Sequence, residues 1–274
     1  MDDKETRPLR EATQFPELNR VLGRLVQGVR ESLGSNAVAV YLQGSFALGE
    51  ADEYSDVDFL VLTNEELADD QETALQAMHA ELYEDESAWA QHLEGSYAPK
   101  DRFRRVDHER RPFLFLDNGA TQLEPDPHCN SAYVRWILRE RGITLFGPSP
   151  KEMIDPVAGE DLRREAMEGL REYVDWAPEP TKAGPMSRWK QPYLVLTFCR
   201  ILKTIETGGV ASKREAAAWA AESLDAHWRP LIERALADRP DPWKRVHQRA
   251  DDDLRRETLA FSEYALKRGT GRTS

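Results

Sequence analysis

The sequence is short of cysteine, with only Cys129 and Cys199 in 274 residues. The two have no short metal-ligand spacing and cannot build a disulfide framework, so they are expected to be small buried side chains in a reducing compartment. Long apolar runs are missing as well. No stretch approaches the roughly 20 apolar residues that a membrane helix needs, and the start Met1-Asp2-Asp3-Lys4-Glu5 is too charged for a secretory signal. A cytoplasmic location without a membrane partner is the expectation. Positive charge is in deficit, with 37 Lys and Arg against 49 Asp and Glu and a formal net charge of -12. Proteins that coat nucleic acid depend on neutralising phosphates with Lys and Arg, so nucleic acid is not an expected partner. The same negative field suits a polycationic small molecule. No internal repeat is visible, and the polar tail Gly269 to Ser274 is expected to fray.

What is present is ample core material. Hydrophobic residues make up 40% of the chain, with nine Phe and seven Trp, and the length permits two domains with a core each. Leu18, Val21, Leu22, Leu25, Val26 and Val29 form a helical stripe within Phe15 to Leu33, ended by Gly34. Ala37 to Leu42 reads as a buried strand, followed by a Gly44-Ser45 turn and a short piece, Phe46 to Gly49, that could start a helix. A second strand is expected at Val57 to Leu62, a helix with a solvated face over Glu65 to Trp89, and a short strand at Phe113 to Leu116 before the turn Asp117-Asn118-Gly119. Ala132 to Gly142 reads as a helix and Ile143 to Gly147 as a short extended piece. Pro148, Pro150 and Pro156 then mark a domain boundary. Beyond it the apolar period stays near 3.6 in Leu162 to Val174, Tyr193 to Thr207, Ser212 to Ser223, His227 to Leu236 and Asp251 to Lys267. That is a helical bundle, interrupted by an irregular connector from Trp176 to Pro192. Trp219 and Trp228 fall among apolar residues at helical spacing and are expected in the core.

The chemistry is concentrated in Gly44-Ser45, ten intervening residues, and Ser55-Asp56-Val57-Asp58. Residues two apart on a strand project to one face, so Asp56 and Asp58 can aim two carboxylates at one point while Val57 packs behind. A magnesium ion uses one or two protein carboxylates and takes its other ligands from water and phosphate oxygens. Gly44 lets the backbone approach a phosphate without a Cβ in the way, and Ser45 adds a hydroxyl and an N–H at the turn. An Asp-x-Asp or a Gly-Ser turn alone carries little weight. In this order, at the ends of two apolar strands, two like charges need a cation to offset their repulsion.

With this pattern the chain resembles the nucleotidyltransferase superfamily of polymerase-β-like folds, whose signature is Gly-Ser followed by Asp-x-Asp on the next strand. Its second half is similar to the aminoglycoside adenylyltransferases of the streptomycin and spectinomycin type. The residues behind that likeness are Arg141 to Pro148, Asp155-Pro156-Val157, Val195 to Arg200, Gly208, Lys213, Ala216-Ala217 and Trp219-Ala220. The resemblance implies an α+β chain. Residues 1–150 are expected to form a nucleotidyltransferase α/β domain with a small mixed sheet. Residues 151–274 are expected to form an all-α helical bundle that completes the nucleotide and acceptor sites. It further implies a monomeric enzyme that uses Mg2+ and transfers AMP from ATP to a hydroxyl of a small, polyhydroxylated, cationic acceptor.

The resemblance also distributes roles. Asp56 and Asp58 would hold the metal, and Gly44, Ser45, Ser55, Arg200 and Lys213 the nucleotide. Glu94 is the better match to the base that deprotonates the acceptor hydroxyl, with Asp117 as the rival. Trp176, Asp175, Trp189 and Tyr193, together with Glu179, would wall the acceptor pocket, although aromatics that pin a loop to the bundle would look the same in sequence. Lys203, one turn beyond Arg200, reads as a solvated neighbour. The family often has an aromatic against the adenine where this chain has Arg239, which leaves the choice of triphosphate open. His92 lies near Glu94 in sequence, with a surface role as the default. Two other functional classes stay in view: a transferase that modifies another small molecule, a protein or RNA in a regulatory role, and a non-catalytic nucleotide sensor.

Overall fold

The computed structural model describes residues 12–239 and 242–271. The charged start at Met1 to Glu5 and the last three residues of the expected tail lie outside them. The chain divides into two compact units, Met1–Val157 and Ala158–Ser274.

The first unit is built on a six-stranded mixed sheet. Its strands are β1 (Ala37–Leu42), β2 (Val57–Thr63), β3 (Leu93–Pro99), β4 (Phe113–Leu116), β5 (Leu123–Asp126) and β6 (Ile143–Phe146), in the order β5-β4-β3-β2-β1-β6. Only β2 and β3 pair in parallel. Both faces of the sheet are covered, so its central strands are largely buried. Val57, Phe59 and Val61 pack on one face with α1 (Pro16–Leu33) and α3 (Asp69–Tyr83), whose Leu18, Leu22, Leu25 and Leu75 are fully buried. Leu60 and Leu62 pack on the other face with Phe103 of α4 (Lys100–Phe103) and with Val134 and Leu138 of α5 (Ala132–Arg141). Asp58 precedes Leu60 by two positions and therefore belongs to this second face.

Three features depart from the sequence-based expectation. The helix expected over Glu65 to Trp89 runs only from Asp69 to Tyr83. Asp85 stops it: its carboxylate accepts hydrogen bonds from Arg20, Arg24 and the Ser87 N–H, and a 3₁₀ turn at Ala88–His92 then leads into β3. The arginine and Ser87 bonds also hold the Asp85 carboxyl well below the usual range. The segment around Glu94, where Gly95 lowers strand propensity, is a complete strand at the centre of the sheet. Gly95 is required there, because a Cβ would lie 2.3 Å from the Phe59 carbonyl oxygen and 2.7 Å from the Phe59 ring. The unforeseen β5 is a short edge strand containing Pro125, a placement that proline tolerates.

The second unit is helical: α7 (Gly159–Trp176), α8 (Lys190–Thr207), α9 (Lys213–Ser223), α10 (Arg229–Asp238), α11 (Pro242–Arg245) and α12 (Asp252–Gly269) follow a one-turn α6 (Pro150–Met153) of the first unit. α8 is the buried centre, with Leu194, Val195, Leu196, Phe198 and Cys199 at or near zero exposure. Ser212 caps α9 by accepting the Glu215 N–H at 3.1 Å, while the Glu215 carboxylate accepts the Ser212 N–H at 2.9 Å. The connector is shorter than the sequence suggests. Trp176 ends α7, and Pro192 sits in the first turn of α8, where a missing N–H costs nothing. Both cysteines are buried and free, and burial pushes each thiol up to about 12. No helix among the described residues is long and apolar enough to cross a membrane. Trp219 and Trp228 are partly buried at the edge of the bundle core.

A buried histidine gives the first unit a pH-dependent stability. His79 lies on α3 with its Nε2 2.7 Å from the Tyr97 hydroxyl, and burial lowers its pKa from 6.5 to about 4. The unfolded chain takes up a proton at His79 as the pH falls below 6.5, whereas the folded chain resists until about pH 4. Stability is therefore lost across that window as pH falls, by roughly 3 kcal/mol at 1.36 kcal/mol per unit. Denaturant unfolding at pH 6.5 and pH 4.5 should show this loss in the wild type and a clearly smaller one in His79→Gln. Equal losses in both proteins would contradict the assignment.

Candidate active site

The candidate site forms where β1 ends and the parallel pair β2–β3 begins. β1 leads into α2 (Gly44–Ala47), a single turn that starts at Gly44. Gly44 has a φ of +59°, and a Cβ there would lie 1.9 Å from Asp58 Oδ2. The Asp58 carboxylate thus rests directly on the turn, a position that only glycine permits. The Gln43 N–H donates to the Asp58 carbonyl at 2.8 Å and ties the turn to β2. Ser45 is half-buried in the first turn of α2, and its carbonyl accepts the Glu50 N–H at 3.0 Å.

Asp56 is half-buried between buried Ser55 and buried Val57. Ser55 closes the preceding loop: its Oγ accepts the Asp52 N–H at 2.9 Å and donates to Asp52 Oδ1 at 3.1 Å. Its hydroxyl therefore shapes the approach to Asp56. Asp58 is register-paired with Glu94 across the parallel strands, so the two carboxylates are neighbours on the same sheet face. The Glu94 side chain is 14% exposed, and its Oε1 lies 2.9 Å from His128 Nε2. Asp117, by contrast, is exposed just after β4 and accepts the Asn118 N–H at 2.9 Å within its own turn. His92 is held by Asn118, 3.1 Å from Nδ1 to Oδ1.

Among the described residues no group of three or more His, Cys, Asp and Glu side chains is placed to hold a metal ion. Two carboxylates are on offer instead, Asp58 against the Gly44 turn and Asp56 two residues before it. That is a weak cage by itself and a suitable one for an ion that completes its shell with water and phosphate.

In the second unit, Trp176, Trp189, Tyr193 and Lys213 gather beside the start of α8. Trp189 and Tyr193 stack with centroids 5.1 Å apart, and the Trp176 ring stands edge-on to Tyr193 at 6.1 Å. Lys213 Nζ lies 5.5 Å from the Tyr193 ring centroid, within cation-π range. Arg200 is half-buried two turns after Tyr193 and so shares its face of α8. Asp175 is exposed on α7. The cluster is braced by a residue that gave no sequence signal, the buried Lys190. Its Nζ donates to the Trp176 and Glu179 carbonyls, each at 2.7 Å, and lies 4.1 Å from the Trp176 ring centroid. Burial lowers the Lys190 pKa.

Comparison with known proteins gives this arrangement a family. A model of the nucleotidyltransferase domain matches residues 22–113, and a model of the aminoglycoside adenylyltransferase C-terminal domain matches residues 152–268. The chain thus carries the two domains of those models and is similar in sequence to the aminoglycoside adenylyltransferases. Such proteins are enzymes with a nucleotidyltransferase domain, and this chain has that domain. It is 28% identical over 261 residues to an aminoglycoside (3'') (9) adenylyltransferase of Shigella flexneri, covering 89% of this chain and 93% of that protein. It is 27% identical over 220 residues to a spectinomycin 9-adenylyltransferase of Staphylococcus aureus, covering 76% of this chain and 79% of that protein. The fold matches the crystal structure of spectinomycin adenyltransferase AAD(9) from Enterococcus faecialis with ATP and spectinomycin. The TM-score is 0.68 at 18% identity, over 92% of this chain and 98% of that one.

Sequence reading missed two residues of this chain, Lys190 beside the aromatic cluster and His128 beside Glu94. A lysine within a helix start and a histidine in a proline-containing loop carry no motif.

Gly44 provides a direct test of the geometry. Gly44→Ala should cost about 1–2 kcal/mol for the left-handed backbone and displace the Asp58 carboxylate. A misplacement near 1 Å reduces rate by about a hundredfold, so nucleotidyl transfer should fall by that order while the circular dichroism spectrum is kept. Wild-type transfer by a folded Gly44→Ala protein would show that Asp58 does not depend on the turn.

Proposed function

We propose that this enzyme transfers AMP from ATP to a hydroxyl of an aminoglycoside-type antibiotic, streptomycin or spectinomycin, with Mg2+ held by Asp56 and Asp58. The observation that carries the reading is the register pair Asp58–Glu94 beside the Gly44 turn, which supports reading Asp58 as a metal carboxylate and Glu94 as the base. A magnesium ion supplies charge neutralisation and alignment of the phosphate oxygens when bound. Glu94 takes the proton of the acceptor hydroxyl, whose oxygen attacks the α-phosphorus in line. The bond to the bridging oxygen breaks and pyrophosphate leaves. We assign Arg200 and Lys213 to the charge that builds on that leaving group, and Gly44 and Ser45 to the phosphate approach.

For the acceptor we assign the Trp176, Trp189 and Tyr193 rings, with Asp175 as an anionic contact. Aromatic faces and a carboxylate suit a polyhydroxylated cation. The likeness to proteins named for aminoglycoside and spectinomycin adenylylation supports this choice. Buried, unbridged cysteines support a cytoplasmic site of action.

Pyrophosphate release is the test. Purified protein with ATP and Mg2+ should release it with streptomycin or spectinomycin and not with protein or RNA acceptors. EDTA should stop the reaction. Asp56→Asn should lower the rate roughly a hundredfold or more, the effect of losing several kcal/mol of charge stabilisation. Wild-type release by Asp56→Asn would refute the metal assignment, and release driven only by protein or RNA would refute the acceptor.

A further inference from the structure

The groups around Glu94 include one side chain without a role in the reaction described above. His128 lies between β5 and α5 and is rigidly presented. Its backbone N–H donates to Asp126 Oδ1 at 2.7 Å, and the Asn130 N–H donates to the Pro127 carbonyl at 2.8 Å, closing the turn. The two residues that follow are anchors. Cys129 is 1% exposed, and Asn130 is fully buried with its amide donating to Asp107 Oδ2 at 3.0 Å and to the Arg111 carbonyl at 2.7 Å. Arg135 donates to Asn130 Oδ1 at 2.7 Å. Phe115, buried on β4, backs the imidazole, with ring centroids 5.0 Å apart and planes at 21°.

The histidine is 55% exposed, yet its Nε2 points at the enclosed Glu94 at 2.9 Å. A surface ion pair between two flexible side chains would need neither the stacked backing nor the buried anchor. These fix the direction of one nitrogen, which is what a base held by one oxygen requires.

We propose that His128 is the positioning residue of the catalytic base: its Nε2–H holds Glu94 Oε1 and leaves the other carboxylate oxygen to take the proton of the acceptor hydroxyl. The inference rests on Glu94 as the base and deepens that reading. His128 itself does not touch substrate. Neutral His128, with its proton on Nε2, orients Glu94 and leaves it basic. Doubly protonated His128 makes the same contact with a full positive charge and weakens the base.

The charged groups facing the ring are Glu94 on β3, Asp58 on β2 and Asp126 at the end of β5. They raise the His128 pKa above its ordinary 6.5, the Glu94 hydrogen bond most strongly, against the lowering effect of burial. The rate should therefore rise with pH through an ionisation above 6.5 that belongs to His128.

Steady-state kinetics of antibiotic adenylylation across pH test this. His128→Ala should lower kcat about ten- to a hundredfold, the usual effect of losing such a supporting contact, with KM for ATP unchanged. His128→Gln, whose amide can donate from the same position without titrating, should recover most of that loss and flatten the pH limb. Glu94→Gln separates the two ideas. If it stays active, the base assignment fails. If Glu94→Gln is inactive while His128→Ala keeps wild-type kcat, the base stands and the His128 role is wrong. Should His128→Ala fail to fold by thermal melting, the pH profile of His128→Gln decides alone, and an unchanged limb overturns the proposal.

Discussion

The parallel register of β2 with β3 places Asp58 beside Glu94, and the first unit is arranged around that pairing. Two like charges side by side repel unless a cation or a proton intervenes. The surrounding structure holds them there. Gly44 removes the Cβ that would strike Asp58, the Gln43 N–H anchors the Asp58 backbone, and Gly95 lets the Phe59 ring cross β3 one position after Glu94. Each is a steric or hydrogen-bonding condition on one strand pair.

The second unit follows the same logic with different groups. A buried lysine is costly, and Lys190 is accommodated by two carbonyl acceptors and the Trp176 face. The cost is offset by a fixed aromatic wall: Trp176, Trp189 and Tyr193 have mutually defined orientations. Lys213 joins them from the first turn of α9, a helix start fixed by the reciprocal Ser212–Glu215 cap. A rigid set of ring faces and one cation are thus assembled around the beginning of α8.

Local rules made much of this legible in the sequence. Asp56, Val57 and Asp58 could be assigned to faces because strand alternation is a property of neighbours, and Gly44 stood out as turn chemistry between two apolar runs. The bundle helices followed from their 3.6 period. Where contacts join distant segments, sequence was silent or misleading. Gly95 looked like a weakness in a strand, whereas its meaning lies in Phe59, on another strand. The end of α3 is set by Asp85 meeting Arg20 and Arg24 from α1, a contact no periodicity carries. His128 was invisible for the same reason, since its partner is on β3 and its backing on β4.

The central claim is that Asp58, held against the Gly44 turn, is indispensable for modification of an aminoglycoside. It is tested most directly in a sensitive bacterial host that expresses either the wild type or Asp58→Ala at matched levels. Susceptibility to streptomycin and spectinomycin is then measured in both strains. The account predicts protection against at least one of the two drugs by the wild type and none by Asp58→Ala. Protection that survives Asp58→Ala would contradict it.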